Sequence, residues 1–430
     1  MTNTIKPHEN PAKTLEKFSD LGISKPILNI LSKMKLETPT PIQQKTIPTA
    51  LAGLDLIGVA QTGTGKTLAF GIPMLQRLGQ NQNQGLVIAP TRELALQVED
   101  NLKKLGQSLG LRTAALIGGE NIDRQLYHLR KNPHIIVATP GRLIDHLKRR
   151  TFKLNLVNIL VLDEADMMLD LGFAPQIQEI LKQVPTDRQT MLFSATMPQA
   201  IVKIAANHMR LPVSIEVAPP GTTASQVDQE IFIIKNEDRL EHLKKILTKY
   251  EGSVLIFVRT KHGAKALALK LRSIGHKALE IHSNLSLGRR REALSAFKSK
   301  RERILVATDV AARGLDINGI ELVVNYNLPD SSGDYVHRIG RTGRAGKLGK
   351  AISLATPNEY KQIKAIEKLI NKNIKLTEFV KLTQTSTRPS TDQSRKRNFR
   401  KSSPYNTHRG GHSGHSRPTG QKFTRRGFSR

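Results

Sequence analysis

The feature that most constrains this chain is Ala60-Gln61-Thr62-Gly63-Thr64-Gly65-Lys66-Thr67, a glycine-rich loop ending in Lys-Thr. The apolar run Leu54 to Ala60 leads into it, and a helical pattern follows. Backbone N–H groups approach phosphate oxygens closely only where no Cβ intervenes, so Thr62, Gly63, Thr64 and Gly65 suit a phosphate cradle. Lys66 is expected to reach the β and γ phosphates, and the Thr67 hydroxyl to ligate Mg2+. Ala60 stands where the commonest pattern has glycine. A loop of this kind needs a strand before it and a helix after it, which commits the region to a βα unit. Further along, Asn158 to Leu162 reads as a buried parallel strand ending in Asp163-Glu164-Ala165-Asp166. Ligands gather at the carboxyl ends of such strands. Asp163 is therefore expected to hold Mg2+, and Glu164 to orient or deprotonate an attacking water.

The same rhythm recurs on both sides of this pair. Gly85 to Ala89, His134 to Ala138 and Thr190 to Phe193 read as buried strands, with helical patterns such as Glu93 to Leu109 and Gln176 to Val184 between them. Near Pro219-Pro220-Gly221 a turn-rich stretch interrupts the pattern. It resumes with Gln229 to Ile234, Val254 to Val258, Arg303 to Ala307 and Glu321 to Asn325. Strands alternating with helices predict parallel sheets covered on both faces, an α/β fold in two domains. The expected boundaries are an N-terminal extension at 1–16, a first domain at 17–217, a linker at 218–226, a second domain at 227–375 and a tail at 376–430.

Charge points to the partner. The 430 residues carry 67 Lys and Arg against 36 Asp and Glu, a net charge of +31, which favours a polyanion. Residues 381–430 hold thirteen of those cations and one acid, Asp392, among Ser, Gly, Thr and His. With almost no aliphatic residues this basic tail is expected to be disordered. Phe399, Tyr405, Phe423 and Phe428 interleave with the charges, a mixture suited to stacking on single-stranded bases. The chain has no cysteine, which excludes disulfides, thiolate metal sites and thiol nucleophiles. The polar start lacks the apolar centre of a signal segment, and no apolar run is long enough to span a bilayer. A soluble, cytoplasmic protein without a membrane partner is expected.

In combination these residues resemble the DEAD-box RNA helicases of superfamily 2, from Phe18 to Lys372. The resemblance implies two tandem RecA-like domains, ATP as the nucleotide, and RNA-dependent ATP hydrolysis coupled to strand separation. Thr38-Pro39-Thr40-Pro41-Ile42-Gln43 is similar to the Q motif, which implies that Gln43 reads the adenine edge and Phe18 stacks on its ring. Pro90-Thr91-Arg92-Glu93-Leu94-Ala95, Gly118-Gly119 and Thr139-Pro140-Gly141-Arg142 resemble the RNA-facing motifs of the first domain. Implied RNA contacts are Pro90, Thr91, Arg92, Gly119, Thr139, Pro140, Gly141 and Arg142. Ser194-Ala195-Thr196 resembles the motif coupling hydrolysis to unwinding, its two hydroxyls expected to bridge the carboxylates to the second domain.

In the second half, Leu255 to Thr260, Ala307 to Asp316 and Tyr335 to Arg344 resemble the family's motifs IV, V and VI. They imply RNA contacts at Arg259, Thr260, Thr308 and Asp309, nucleotide contacts at Gly314 and Asp316, a coupling role for His337, and arginine fingers at Arg341 and Arg344. Arginine suits that role because its planar fork neutralises charge spread over phosphoryl oxygens. Arg290 matches a further RNA-binding arginine. Two departures stand out: Lys35-Leu36 replace the usual Gly and aromatic, and Leu287 replaces the usual Gln three residues before Arg290. The stretch Arg259 to Ala264 and the short, tailed architecture are similar to the bacterial RhlE branch, associated with ribosome assembly and RNA turnover. Single-stranded RNA and short duplexes, read with little sequence preference, are the implied partners, with ribosomal particles or RNA-decay machinery beyond them. An RNA clamp or annealing chaperone that does not unwind, and a DNA translocase, are the rival readings.

Overall fold

A computed structural model describes residues 17–61, 63–79, 83–217, 227–312, 319–343 and 348–378. The expected extension at 1–16, the linker at 218–226 and the basic tail from 381 onward lie outside the described residues.

The first half is a seven-stranded parallel sheet. Its strands are β1 (Leu56–Val59), β2 (Gln84–Ile88), β3 (Thr113–Leu116), β4 (Ile135–Ala138), β5 (Val157–Leu162), β6 (Gln189–Ser194) and β7 (Val213–Glu216), in the order β3-β4-β2-β5-β6-β1-β7. Side chains alternate across the pleat, so each strand feeds two cores. Ile159 and Val161 pack on one face with Leu56, Val87 and Phe193, and Leu160 and Leu162 pack on the other with Ile57, Leu86 and Leu192. This double burial explains why the central strands are continuous apolar runs in the sequence.

The second half repeats the plan. Strands β8 (Val227–Ile233), β9 (Val254–Phe257), β10 (Ala278–Ile281), β11 (Ile304–Ala307), β12 (Leu322–Asn325), β13 (Gly349–Ala355) and β14 (Lys375–Glu378) pair in the order β10-β11-β9-β12-β13-β8-β14. Val254 and Ile256 face one core, and Leu255 and Phe257 the other. Strand β14 pairs with β8 from Lys375 to Glu378, so ordered chain runs past the boundary expected at 375.

Topology fixes where chemistry gathers. Strands β5, β6 and β1 are consecutive neighbours, so the residues that follow their carboxyl ends meet at one edge. Those residues are Asp163-Glu164, Ser194-Ala195-Thr196 and the glycine-rich loop. The Ala60 N–H donates to Ser194 O at 2.9 Å, carrying the β1–β6 pairing up to the start of the loop.

Candidate active site and groove

The loop after β1 turns into helix Lys66–Leu78 through two glycines in the left-handed region, Gly63 at φ +88° and Gly65 at φ +92°. A Cβ on Gly65 would come within 2.4 Å of Gln43 Nε2, so glycine is required there twice over. Gln43 is 2% exposed, accepts the Thr40 N–H at Oε1 (2.9 Å) and donates from Nε2 to Gly65 O (3.0 Å). Its amide thus ties the Q-motif helix to the phosphate loop. One N–H and one lone pair remain for a second partner such as an adenine edge. Phe18 departs from expectation. It is 3% exposed and packs in the first-half core, so its ring meets protein where stacking on adenine was implied.

Lys66, Asp163 and Glu164 are all buried. Lys66 Nζ lies 3.0 Å from Glu164 Oε1 and donates to Ala60 O at 3.0 Å. Glu164 adopts φ +53°, the left-handed region that costs a non-glycine residue roughly 1–2 kcal/mol. It stands at the start of helix Ala165–Asp170. Burial pushes the Asp163 carboxyl up to about 7, against the opposing pull of Lys66. Burial would also raise Glu164, but the charge and hydrogen bond of Lys66, with Arg341 and His337, hold it below its ordinary value. Burial would lower Lys66, and Glu164, Asp163 and Asp166 outweigh it and raise it. Arg341, 4% exposed, and His337 therefore act electrostatically on the first-half carboxylate from the second half.

The residues fit a divalent cation that arrives with its nucleotide. Asp163 Oδ1 is buried without a hydrogen-bond partner, and Thr67 is half-buried in the first turn of the helix after the loop. Among the described residues no group of three His, Cys, Asp or Glu is placed to hold a metal unaided. Magnesium commonly binds one or two protein oxygens and completes its shell with phosphate and water.

Asp166 is the residue that the sequence reading left without a role. Its Oδ2 accepts from Ala195 N (3.2 Å), Thr196 N (2.9 Å) and Thr196 Oγ1 (2.9 Å). Ser194 Oγ donates to Thr196 O (2.7 Å) and accepts the Asp166 N–H (3.2 Å). The two hydroxyls expected to bridge to the second domain are instead bound within the first half, Thr196 to the Asp166 carboxylate and Ser194 to Thr196 O.

A groove of about 490 Å³ gathers most of the expected RNA residues: Pro90, Thr91, Arg92, Thr139, Gly141, Arg142 and Arg290. Helices Arg92–Gly106 and Pro140–Lys148 begin at its wall, and free N–H groups at helix starts suit phosphates. Pro140 opens the second of them, and Thr91 Oγ1 caps the first by accepting the Leu94 N–H at 3.2 Å. Gly119, at φ +74°, leaves room for Arg92, whose Nη1 would lie 2.1 Å from a Cβ there. Arg142 donates to Glu120 O at 3.0 Å. Leu171 and Phe173 also line the groove, and no motif pointed to them; Val310, from the motif V stretch, and Ser283 line it too.

Other expected contacts lie elsewhere. Arg259 is bound within the second half, to Asp330 (3.4 Å), Glu359 (3.5 Å) and Leu328 O (3.2 Å). Thr260 caps helix Lys261–Ser273 by accepting the Gly263 N–H at 3.0 Å. Both oxygens of Asp309 are taken by Arg338, from Nε at 2.5 Å and Nη2 at 2.7 Å, so it braces motif VI rather than facing RNA. Thr308 is buried, its N–H on Ile281 O at 3.3 Å. Arg290 Nη2 is bound to Glu93 Oε2 at 2.7 Å, where a phosphate contact was expected. Thr62, Gly314, Asp316 and Arg344 lie outside the described residues.

The family model described as DEAD/DEAH box helicase matches residues 40–204, and that described as Helicase conserved C-terminal domain matches 238–346. The chain is 46% identical over 363 residues to the ATP-dependent RNA helicase CshA of Listeria monocytogenes serovar 1/2a, covering 84% of this chain and 70% of that protein. Among solved structures it is similar to S. cerevisiae Dbp5 bound to RNA and ADP BeF3, with a TM-score of 0.75 at 32% identity over 85% of this chain and 95% of that one. A DEAD box protein from the hyperthermophile Methanococcus jannaschii is 39% identical, covering 84% and 99%, yet reaches only 0.51.

Proposed function

The chain belongs to the DEAD-box ATP-dependent RNA helicases, and from that membership we propose that ATP hydrolysis here waits for RNA to close the two halves on each other. The observation that carries this reading is the buried Arg290–Glu93 pair at 2.7 Å, which seats the second half on the first, with Arg341 and His337 of the second half near enough to Glu164 to help hold its carboxyl down.

In this account the first half holds the triphosphate and the second half completes the site. The loop N–H groups and Lys66 bind the phosphates, and Gln43 offers its remaining donor and acceptor to adenine. Lys66 leaves Glu164 for phosphate oxygen, which frees the Glu164 carboxylate to orient the attacking water. Mg2+ held by Thr67 and Asp163 would neutralise phosphate charge when bound. Arg341 faces the γ-phosphoryl group across the cleft, with Arg344 as its expected companion. Because neither half alone holds all these groups, hydrolysis depends on closure. RNA lying against Arg92, Arg142 and the two helix starts of the groove favours the closed form, and the coupling to ATP is reciprocal.

The wider reading rests on less. The RhlE-like placement is supported by the Arg259 to Ala264 stretch and the short, tailed architecture, whereas the relative described above is named CshA. A task in ribosome assembly or RNA turnover, RNP partners and a cytoplasmic location belong to the same proposal. Among the described residues no helix is long and apolar enough to cross a membrane. The test is displacement of a strand from a short RNA duplex, with ATP and without. Displacement that requires ATP supports unwinding. Duplex binding or annealing with no ATP-dependent displacement would favour the clamp or chaperone.

A further inference from the structure

The first turn of helix Leu287–Lys298 reaches the first half through two side chains. Leu287 and Arg290 stand at i and i+3 and so share one side of that turn. Arg290 pairs with Glu93 at 2.7 Å, both side chains being buried. Leu287, half-buried, packs against the core cluster that contains Leu94, Ala95 and Val98. Every buried member of that cluster lies between Phe18 and Ile215, so the contact joins the halves. The family resemblance places glutamine at this position, and this chain has leucine.

The two contacts differ in kind. A buried ion pair offsets its desolvation only when its remaining atoms are also satisfied. Here Glu93 Oε1 and Arg290 Nε are buried without partners, so the pair fixes register more than it adds stability. An apolar side chain leaving water stabilises without directional demands. Glutamine in its place would bring an amide that needs hydrogen bonds of its own.

We propose that Leu287 is a positioning residue of closure: its apolar contact holds the halves together and lowers the RNA needed to trigger hydrolysis. The inference rests on the reading that closure completes the ATP site. A contact made only in the closed form raises the closed fraction with and without RNA, and the apparent RNA affinity follows that fraction.

Full-length Leu287→Gln, Leu287→Ala and Leu287→Met variants test it. Gln and Ala should raise the poly(U) concentration for half-maximal ATPase about fivefold and lower the RNA-free rate by a similar factor, given partial burial of one leucine. The rate at saturating RNA and the melting temperature should stay at wild-type values, and Met, apolar and of similar volume, should restore both affected quantities. Unchanged half-maximal RNA and RNA-free rate would overturn the proposal. So would a lower saturated rate together with a lower melting temperature, which marks a residue needed only for the fold. Because the chain has no cysteine, Lys104→Cys and Lys298→Cys accept a donor and an acceptor dye without competition. At equal RNA and non-hydrolysable ATP analogue, energy transfer should report fewer closed molecules for Leu287→Gln than for Leu287. Equal closed fractions would overturn the proposal. A wild-type ATPase indifferent to RNA would defeat the parent reading, while the energy-transfer comparison would still decide the role of Leu287.

Discussion

Replacing Asp166 should loosen the Ser194–Thr196 loop and weaken the first half by a calculable amount. Its carboxylate, 3% exposed, accepts the Ala195 N–H, the Thr196 N–H and the Thr196 hydroxyl at Oδ2, and the Met167 N–H at Oδ1 (2.9 Å). A buried donor left without its acceptor costs roughly 1–3 kcal/mol. Thr196 is exposed, so water replaces the carboxylate for its two donors. The amides of Met167 and Ala195 bear most of the loss, which gives about 2–4 kcal/mol for Asp166→Ala. For a unit of this size that lowers the melting temperature by roughly 4–16 °C. Asp166→Asn keeps one oxygen toward the loop and should lose about 1–2 kcal/mol. Calorimetry on the full chain measures the stability, and strand displacement per ATP hydrolysed measures the coupling. Both variants should melt in the order wild type, Asn, Ala, with displacement per ATP falling in the same order. If Asp166→Ala melts with the wild type and displaces as much strand per ATP, the tether holds nothing and the reasoning fails.

Three further outcomes follow from the site. Glu164→Gln should bind ATP and RNA while turnover falls roughly 10²–10⁴-fold, the range for loss of a positioned acid–base group; persistence of wild-type turnover would remove its role with water. Arg338→Ala strips Asp309 of both its bonds and leaves Asn327 O without its 2.6 Å donor, so the second half should lose about 3–5 kcal/mol by denaturant unfolding. Loss under about 1 kcal/mol would mean that water replaces the pair. Deleting residues 381–430 removes thirteen cations and should weaken RNA binding and flatten its salt dependence, with the RNA-saturated ATPase retained; an unchanged salt slope would leave the tail without a part in binding.

How much of this was legible in the sequence depended on how local the signal is. Apart from β13, the central strands were read within two residues of their ends, because burial on both faces makes them continuous apolar runs. Strands β3, β7, β10, β13 and β14 were missed. All but β13 lie at a sheet edge, and β3, β7 and β10 alternate or expose their side chains there; β13 is interior, but its run opens on Gly349-Lys350 and carries Ser353, which breaks the apolar signal. The phosphate loop and Asp163-Glu164 were readable because their chemistry depends on residues adjacent in the chain. Partners distant in sequence were not readable. Nothing local says that Asp309 belongs to Arg338, that Thr196 belongs to Asp166, or that Arg290 reaches Glu93. Phe18 shows the opposite error: an aromatic at a ligand-binding position in the pattern is held by the core in this fold.

The central claim is that hydrolysis waits for the second half. Steady-state ATP hydrolysis by the purified full-length chain, measured with and without saturating single-stranded RNA, tests it most directly. The account predicts a low rate alone, a rise of at least about tenfold with RNA, and loss of that rise in Arg341→Ala, as the removal of a transition-state arginine requires. An RNA-independent rate equal to the RNA-saturated one, or full stimulation without Arg341, would contradict it.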